Sequence, residues 1–168
     1  GMDALKALPA RNGATVSAYL FDMIGRIGEK IELARYEITE GNFVAVYNHP
    51  GNRLAAMAAF TGDVDRDAAK EVVMQIAAMN PMAIDKADVD ASVLVRELEI
   101  GREQARREGK PEAMLEKIAQ GKLAKFYKEN TLLNQTYIKD ESKTLGQLLK
   151  EKSPGAAVKT FRRIQIGG

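Results

Sequence analysis

The stretch FVAVYNHPGNRLAAMAAF, residues 43–60, decides the fold because it joins two apolar runs through a tight turn. The first run, 43–49, carries β-branched and aromatic residues and predicts a strand. The second run, 53–60, predicts another strand, although its alanines are poor strand formers and leave a helix as the alternative. Proline followed by glycine fits the centre of a type II turn, because proline pre-sets its own φ and glycine accepts the positive φ that comes next. We therefore expect a hairpin whose tip carries His49, the only histidine of the chain.

Two further runs extend this hairpin into a predicted sheet. Residues 30–39 carry β-branched and aromatic side chains and predict a strand directly before it. Three consecutive runs of this kind suggest an antiparallel meander. Residues 156–166 predict a last strand. The expected fold class is α+β, a three- to four-stranded antiparallel sheet with helices packed on one face.

An amphipathic helix is predicted at 66–79, directly after the hairpin. Its apolar side chains recur at helical spacing, namely at Ala69, Val72, Val73, Ile76 and Ala77. Asp65 is the expected N-cap. Asn80 before Pro81 is expected to end the helix, because a residue before proline avoids the α region.

Two shorter helices are predicted, one at 15–27 and one at 142–152. Ser142 is the expected N-cap of the second. The intervening residues 129–141 are expected to form a loop with a short apolar piece.

The domain organisation is predicted to be simple. Residues 1–14 are expected to be an irregular lead-in, in which Gly1 before Met2 is typical of a residue left by tag cleavage. Residues 15–168 are long enough to bury a core and are expected to form one domain.

A long charged stretch, residues 90–128, predicts two helices with narrow apolar stripes. Gly109 fits the position just past a helix end, and Pro111 fits the first turn of the next helix. Two helices joined by so short a link should run antiparallel as a helical hairpin. We expect a protruding coiled-coil-like arm at about 88–128, inserted in the domain.

Composition and charge exclude several classes of protein. Hydrophobic residues make up 45% of the chain and charged residues 29%, as in ordinary globular proteins. The net charge of +2 creates no demand for DNA or for an anionic membrane. The chain has no cysteine, which excludes disulfides, thiolate metal sites and cysteine nucleophiles and fits a reducing compartment. Since no apolar run is long enough to span a membrane, a cytoplasmic protein is expected.

No enzyme site emerges from the residue pattern. His49 as a general base would need an orienting acid and a nucleophile nearby, and its sequence neighbours are not suited to either role. The stretch TGDVDRD, residues 61–67, has a single glycine and three acids, which would repel phosphate, and it lacks the spacing of an EF-hand loop. No catalytic residue, metal ligand or cofactor is therefore predicted, and a binding protein is favoured over an enzyme.

The arm is locally basic, with a surplus of four positive charges between residues 102 and 128. The basic residues are Arg102, Arg106, Arg107, Lys110, Lys117, Lys122, Lys125 and Lys128, against Glu103, Glu108, Glu112 and Glu116. RNA recognition also needs aromatic side chains for stacking, and only Phe126 and Tyr127 are available. A solvated helix surface is favoured, with an RNA-binding module as one alternative. A self-associating structural domain, in which the exposed sheet is the interface, is another.

Three stretches in order resemble bacterial elongation factor Ts. They are YNHPGNRLAAMAAF at 47–60, AKEVVMQIAAMNP at 69–81, and EGKPEAMLEKIAQGKLAKFYKENTLLNQTYIKDESKTLGQLLKE at 108–151. The resemblance runs from about Gly28 to Ile166. It implies a guanine-nucleotide exchange factor that acts on elongation factor Tu in translation elongation and is not an enzyme.

The resemblance also implies which part of the family architecture these residues correspond to. The family's dimerisation domain has two similar α+β halves, and the second half carries an inserted coiled-coil arm, as expected here at about 88–128. This chain resembles that second half. The first half carries an Asp-Phe pair that wedges into the nucleotide domain of Tu and disturbs its magnesium site, and the sequence has no Asp-Phe pair.

The resemblance assigns a partner surface to the hairpin. Residues His49, Asn48, Gly51 and Arg53 correspond to the turn that meets Tu, both GDP-bound and nucleotide-free. Gln75 is included as a candidate contact because many family members have a histidine at this position. A homodimer of these 168 residues is a further expectation.

Overall fold

The computed structural model describes residues 1–10 and 13–167, and these form two compact units, Gly1–Ile38 and Thr39–Gly168. The first unit contains helices α1 (Met2–Ala7) and α2 (Val16–Ile27), so the helix predicted at 15–27 is confirmed. The Thr15 hydroxyl caps α2 by accepting a hydrogen bond from the Ala18 N–H at 3.2 Å.

Two predictions for the first 39 residues are wrong. The lead-in expected to be irregular contains α1, because its alanines, leucine and lysine are good helix formers; its residues 11 and 12 lie outside the described part of the chain. The strand expected at 30–39 is not formed in the described structure. β-Branched residues favour an extended backbone, but a strand also needs a hydrogen-bonded neighbour.

The second unit contains a three-stranded antiparallel sheet in the order β1-β2-β5. The strands are β1 (Phe43–Asn48), β2 (Leu54–Thr61) and β5 (Ala157–Gln165), so the predicted strands at 43–49, 53–60 and 156–166 are confirmed. The expected meander is wrong, because no strand at 30–39 pairs with β1 in the described structure, and the distant β5 adds to the sheet beside β2 instead.

The alanines of β2 form a strand because they allow a helix to approach the sheet closely. Helix α3 (Arg66–Met79) packs on this face, where Ala56, Ala58 and Phe60 are buried. The predicted bounds of this helix and its cap are confirmed, since the Asp65 carboxylate accepts a hydrogen bond from the Ala68 N–H at 2.9 Å.

The charged stretch forms the predicted helical hairpin. Helix α4 (Ala91–Arg107) and helix α5 (Leu115–Asn130) are joined through Gly109, which has a φ of 71°, and a 3₁₀ turn at Glu112–Met114. They pack closely at Gly101 and Ala119, where glycine leaves room for the neighbouring backbone. The antiparallel pairing of the two helices is therefore confirmed.

The segment expected to be a loop at 129–141 holds a small hairpin instead. Its strands are β3 (Thr136–Tyr137) and β4 (Asp140–Thr144), preceded by a 3₁₀ turn at Leu132–Asn134. Pairing within this segment satisfies backbone groups that a loop would leave to water. The hairpin also projects Ile138 towards α3.

Helix α6 (Leu145–Lys152) follows this hairpin, but Ser142 is not its N-cap as predicted. Thr144 takes that role, because its hydroxyl accepts from the Gln147 N–H at 3.2 Å while the Gln147 side chain accepts from the Thr144 N–H at 2.7 Å. This reciprocal pair is a capping box. Ser142 lies in β4 and bonds the carboxylate of Asp140.

None of the helices in the described residues combines the length and the apolar character that crossing a membrane requires.

Candidate partner-binding site

The hairpin turn has the geometry that its sequence predicts. The His49 carbonyl accepts a hydrogen bond from the Asn52 N–H at 2.9 Å, and Gly51 has a φ of 88°. Proline at the first central position and glycine with positive φ at the second define a type II turn. The His49 N–H donates to the Leu54 carbonyl at 2.9 Å, so the base of the turn is closed.

The imidazole of His49 is exposed and held by one neighbour. Its Nδ1 lies 3.0 Å from the hydroxyl of Tyr47, and the two rings meet edge to face with centroids 5.9 Å apart. Tyr47 is half-buried and packs against the core. Residues two apart in a strand share a face, which is why these side chains meet.

An apolar recess of about 150 Å³ adjoins the imidazole. Hairpin β1–β2, helix α3 and the small hairpin β3–β4 each contribute to its walls, which are formed by Tyr47, His49, Leu54, Met74, Ala77, Ala78 and Ile138. Ile138 is 40% exposed, which leaves its side chain accessible at the rim. A polar imidazole beside an apolar recess is suited to bind a protein side chain.

Three other predicted residues are exposed on the same hairpin but do not join the recess. Asn48 pairs with Ala55 and alternates with Tyr47 along β1, so its side chain lies on the opposite face of the sheet. Gly51 is at the tip of the turn. Arg53 follows the turn, and its carbonyl accepts a hydrogen bond from the Ile166 N–H at 2.8 Å.

Gln75 is fully buried and lies beneath the surface. Its Nε2 donates to the Thr136 carbonyl at 3.0 Å and to Gln135 Oε1 at 3.3 Å, and its Oε1 accepts from the Ile138 N–H at 3.0 Å. The side chain thus ties α3 to the small hairpin that carries Ile138. Its amide binds within the chain and shapes the recess from below.

A second tie lies one turn earlier on α3, at Glu71. Its carboxylate accepts from the Tyr137 hydroxyl at 2.8 Å and from Lys139 Nζ at 2.7 Å. Burial, together with this carboxylate, raises the pKa of Tyr137 to about 12. Glu71 and Gln75 are four residues apart on one face of α3, so both side chains hydrogen-bond to the 136–139 segment.

Sequence reasoning missed Tyr47, Met74 and Ile138 as recess residues. The period of two along a strand could have placed Tyr47 beside His49. The helix period would have placed Met74 near the sheet but not at the recess. For Ile138 there was no signal, because the small hairpin is formed by contacts with α3 that its own residues do not encode.

The arm carries a network of ion pairs on its surface. Arg102 contacts Glu99 and Glu116, and Arg106 contacts Glu99 and Glu112. These hydrogen-bonded carboxylates raise the pKa of both guanidinium groups. Glutamates also pair with Arg107, Lys122 and Lys125. Five of the eight basic residues between 102 and 128 are thus neutralised locally.

The described residues bring together no group of three or more histidine, cysteine or acidic side chains that could hold a metal ion.

Comparison with known proteins gives a consistent result. A family model described as Elongation factor TS matches residues 1–168. An elongation factor Ts from Cytophaga hutchinsonii is 49% identical over 167 residues, which cover 98% of this chain and 60% of that protein. One from Amoebophilus asiaticus is 50% identical over 159 residues, covering 93% of this chain and 57% of that protein. The chain therefore spans somewhat under two thirds of the length of these curated relatives.

Proposed function

The chain belongs to the elongation factor Ts family, and we propose that it serves as the docking part of a guanine-nucleotide exchange factor for elongation factor Tu, acting in translation elongation in the cytoplasm. Curated proteins named elongation factor Ts align with nearly the whole of this chain. The exchange activity and the partner are proposed for a chain that spans only part of the length of these relatives.

The observation that carries this proposal is the exposed His49 beside an apolar recess. Hot spots of protein interfaces combine an apolar anchor with a few oriented polar groups. His49 supplies the polar group, and the recess accepts an apolar side chain. We propose that Asn48, Gly51 and Arg53 make further contacts with Tu around the tip of the same hairpin, Asn48 from the opposite face of the sheet.

We assign Gln75 an indirect role in docking. Its amide is buried, and the hydrogen bond to the Ile138 backbone fixes one wall of the recess. A change at Gln75 would therefore reach a partner only through the position of Ile138. Gln75 thus supports the docking surface from within the domain and does not contact Tu directly.

Exchange would follow from differential binding. A factor that binds nucleotide-free Tu more tightly than GDP-bound Tu must lower the affinity of Tu for GDP by the same ratio. No covalent bond forms or breaks in that process, so the proposed activity is not enzymatic and needs no cofactor. The hairpin docks onto Tu. The ratio of its affinities for nucleotide-free and GDP-bound Tu measures its contribution to exchange.

Titration calorimetry of the 168-residue chain with nucleotide-free and with GDP-bound Tu tests the proposal. Binding of one Tu per chain, weakened by His49→Ala, is the expected result. Asp63→Ala is a matched control, because Asp63 is an exposed loop residue at the far end of β2. Absence of binding to both forms would refute docking by this chain.

The arm is proposed to be a solvated surface. Its ion pairs are exposed and internal to the arm, which supports this role over RNA binding. RNA binding through phosphates would show a steep fall in affinity with salt concentration. A filter-binding assay at low and high salt is expected to show no such binding.

Self-association is a second candidate, favoured by the outer face of the sheet. Val44 and Val46 project from it beside the half-buried Met57 and Ile164, and Val46 is 67% exposed. Apolar residues that adjoin one another on a surface mark a contact site more often than scattered ones. We propose that two chains associate through this face as a homodimer.

Light scattering across a concentration series tests the homodimer. The unaltered chain is expected to shift from monomer to dimer as concentration rises, and Val46→Glu to remain monomeric. Val95→Glu is the matched control, since Val95 is also 67% exposed but lies on α4. A chain that is monomeric throughout would rule this candidate out.

A further inference from the structure

Among the described residues, only one of the two ring nitrogens of His49 has a hydrogen-bond partner. Nδ1 lies 3.0 Å from the Tyr47 hydroxyl. Nε2, on the far side of the ring, has no hydrogen-bond partner among the described residues. Because the side chain is exposed, this second nitrogen is accessible to a partner.

The direction of the Tyr47–His49 hydrogen bond follows from the chemistry of its two ends. A phenol O–H is a better donor than a neutral imidazole N–H, and an imidazole nitrogen is a better acceptor than a phenol oxygen. In a neutral ring this chemistry favours donation by Tyr47 to Nδ1, which places the ring proton of His49 on Nε2. In proteins the hydrogen bond at one ring nitrogen sets the role of the other.

The Tyr47 side chain is held in place by its strand and by the core, so its hydroxyl can orient the imidazole. Tyr47 belongs to β1, where it pairs with Ala56 of the central strand β2, and its ring packs against the core. The edge-to-face contact with the imidazole, inclined at 62°, further restricts the histidine. The hydroxyl of Tyr47 is thus a fixed point against which the exposed imidazole is oriented.

We infer that Tyr47 is a positioning residue, which holds His49 as the Nε2–H tautomer so that this N–H is donated to an acceptor oxygen of the partner. The inference rests on the proposed docking function and specifies its chemistry. The matching group on the partner is a carbonyl or carboxylate oxygen. It borders an apolar side chain, because the imidazole lies at the rim of an apolar recess.

The tautomer can be measured in the free chain without any partner. Because His49 is the only histidine, a ¹⁵N-labelled sample gives a single set of imidazole resonances. Under mildly alkaline conditions, Nε2 is expected to show the shift of a protonated nitrogen and Nδ1 that of an unprotonated one. Tyr47→Phe should move both shifts towards a mixture of tautomers. An Nδ1–H tautomer in the unaltered chain, or shifts that Tyr47→Phe leaves in place, would overturn the inference.

A double-mutant cycle with Tu tests the second step. Tyr47→Phe should weaken binding roughly three- to tenfold, the usual effect of one lost hydrogen bond. In the His49→Ala background the same change should have almost no effect, since Tyr47 then has nothing to position. Equal losses in both backgrounds would show that Tyr47 acts independently of His49, contrary to the inference.

A control variant and the measurement in the free chain distinguish a wrong role for Tyr47 from a wrong docking function. Tyr127→Phe removes a hydroxyl from the arm, away from the hairpin, and should leave the imidazole shifts and the affinity unchanged. Failure of the unaltered chain to bind Tu would refute the docking function and, with it, the partner step. The tautomer measurement in the free chain would still report separately on whether Tyr47 sets the proton position.

Discussion

Gln75 and Ile138 are joined by a hydrogen bond of 3.0 Å, which the Ile138 N–H donates to the buried Gln75 side chain. Replacing Gln75 by alanine leaves this N–H and the Thr136 carbonyl without their partner. Unsatisfied buried groups cost about 1–3 kcal/mol. We expect Gln75→Ala to lower the free energy of unfolding by at least this amount in urea denaturation, and to speed hydrogen exchange at the Ile138 amide.

A surface glutamine provides the comparison for this change. Among the described residues, the Gln120 side chain bonds only Glu116, on the exposed side of α5, so Gln120→Ala should alter the free energy of unfolding by no more than about 0.5 kcal/mol. Equal effects from the two variants would contradict the role of Gln75 as the tie between α3 and the small hairpin.

The arm depends on the close approach of its two helices at Gly101. A Cβ atom at this position would lie 3.0 Å from Ala119 Cα and 3.2 Å from its Cβ. Gly101→Leu should therefore push α4 away from α5 and destabilise the arm by roughly 1–3 kcal/mol, the usual cost of overpacking. The loss of helical circular dichroism on heating measures it.

Gly121 is the matched site on the other helix of the arm. It is exposed, and a Cβ there would meet no atom within 4 Å. Gly121→Leu should stabilise the arm by roughly 0.5–1 kcal/mol, because leucine is a better helix former than glycine. If both substitutions stabilised the arm, helix propensity rather than packing would govern it.

The pKa of Tyr137 makes stability depend on alkaline pH. Its value in the folded chain is raised from 10.0 to about 12 by burial and by Glu71. A group whose pKa is raised on folding stabilises the folded state fully below its unfolded pKa, and this stabilisation is lost as pH rises through the folded value. Between about pH 10 and pH 12, the unaltered chain should lose stability relative to Tyr137→Phe. Parallel urea midpoints for the two chains over this range would contradict the buried hydrogen bond to Glu71.

How much of this fold is readable from the sequence depends on whether the signals are local. The helix at 66–79, its Asp65 cap and the Pro50-Gly51 turn were predicted because their residues carry the cap and turn chemistry themselves. The strand expected at 30–39 failed because its pattern describes a half-buried surface, and pairing depends on a neighbour elsewhere.

The same distinction between local and long-range signals applies to the candidate site. The exposure of His49 at the turn followed from the turn itself. The burial of Gln75 and the presence of Ile138 at the recess depend on how α3 packs against the β3–β4 hairpin, whose register no local pattern indicates. The site is therefore predictable where one hairpin builds it and not where three elements meet.

Exchange activity is expected to be much weaker than binding in this chain. The Asp-Phe pair that the family resemblance links to disturbance of the magnesium site does not occur in these 168 residues. A protein that binds the nucleotide-free and GDP-bound forms of Tu with equal affinity does not shift the equilibrium between them. Stopped-flow release of a fluorescent GDP analogue from Tu should therefore be accelerated far less than by the full-length relative from Cytophaga hutchinsonii, which is 49% identical over the shared region. Comparable rates would show that these residues suffice for exchange.

Substitution of His49 separates a contact residue from a structural one. His49→Ala should leave the free energy of unfolding within about 0.5 kcal/mol of the original, because an exposed turn side chain contributes little to folding. Binding to Tu should weaken roughly five- to a hundredfold, since losing a hydrogen bond that binding has desolvated costs about 1–3 kcal/mol. Asp63→Ala, at the far end of β2, should change neither quantity. A strong drop in melting temperature would instead make His49 a structural residue through its bond to Tyr47, and unchanged affinity would remove it from the docking surface.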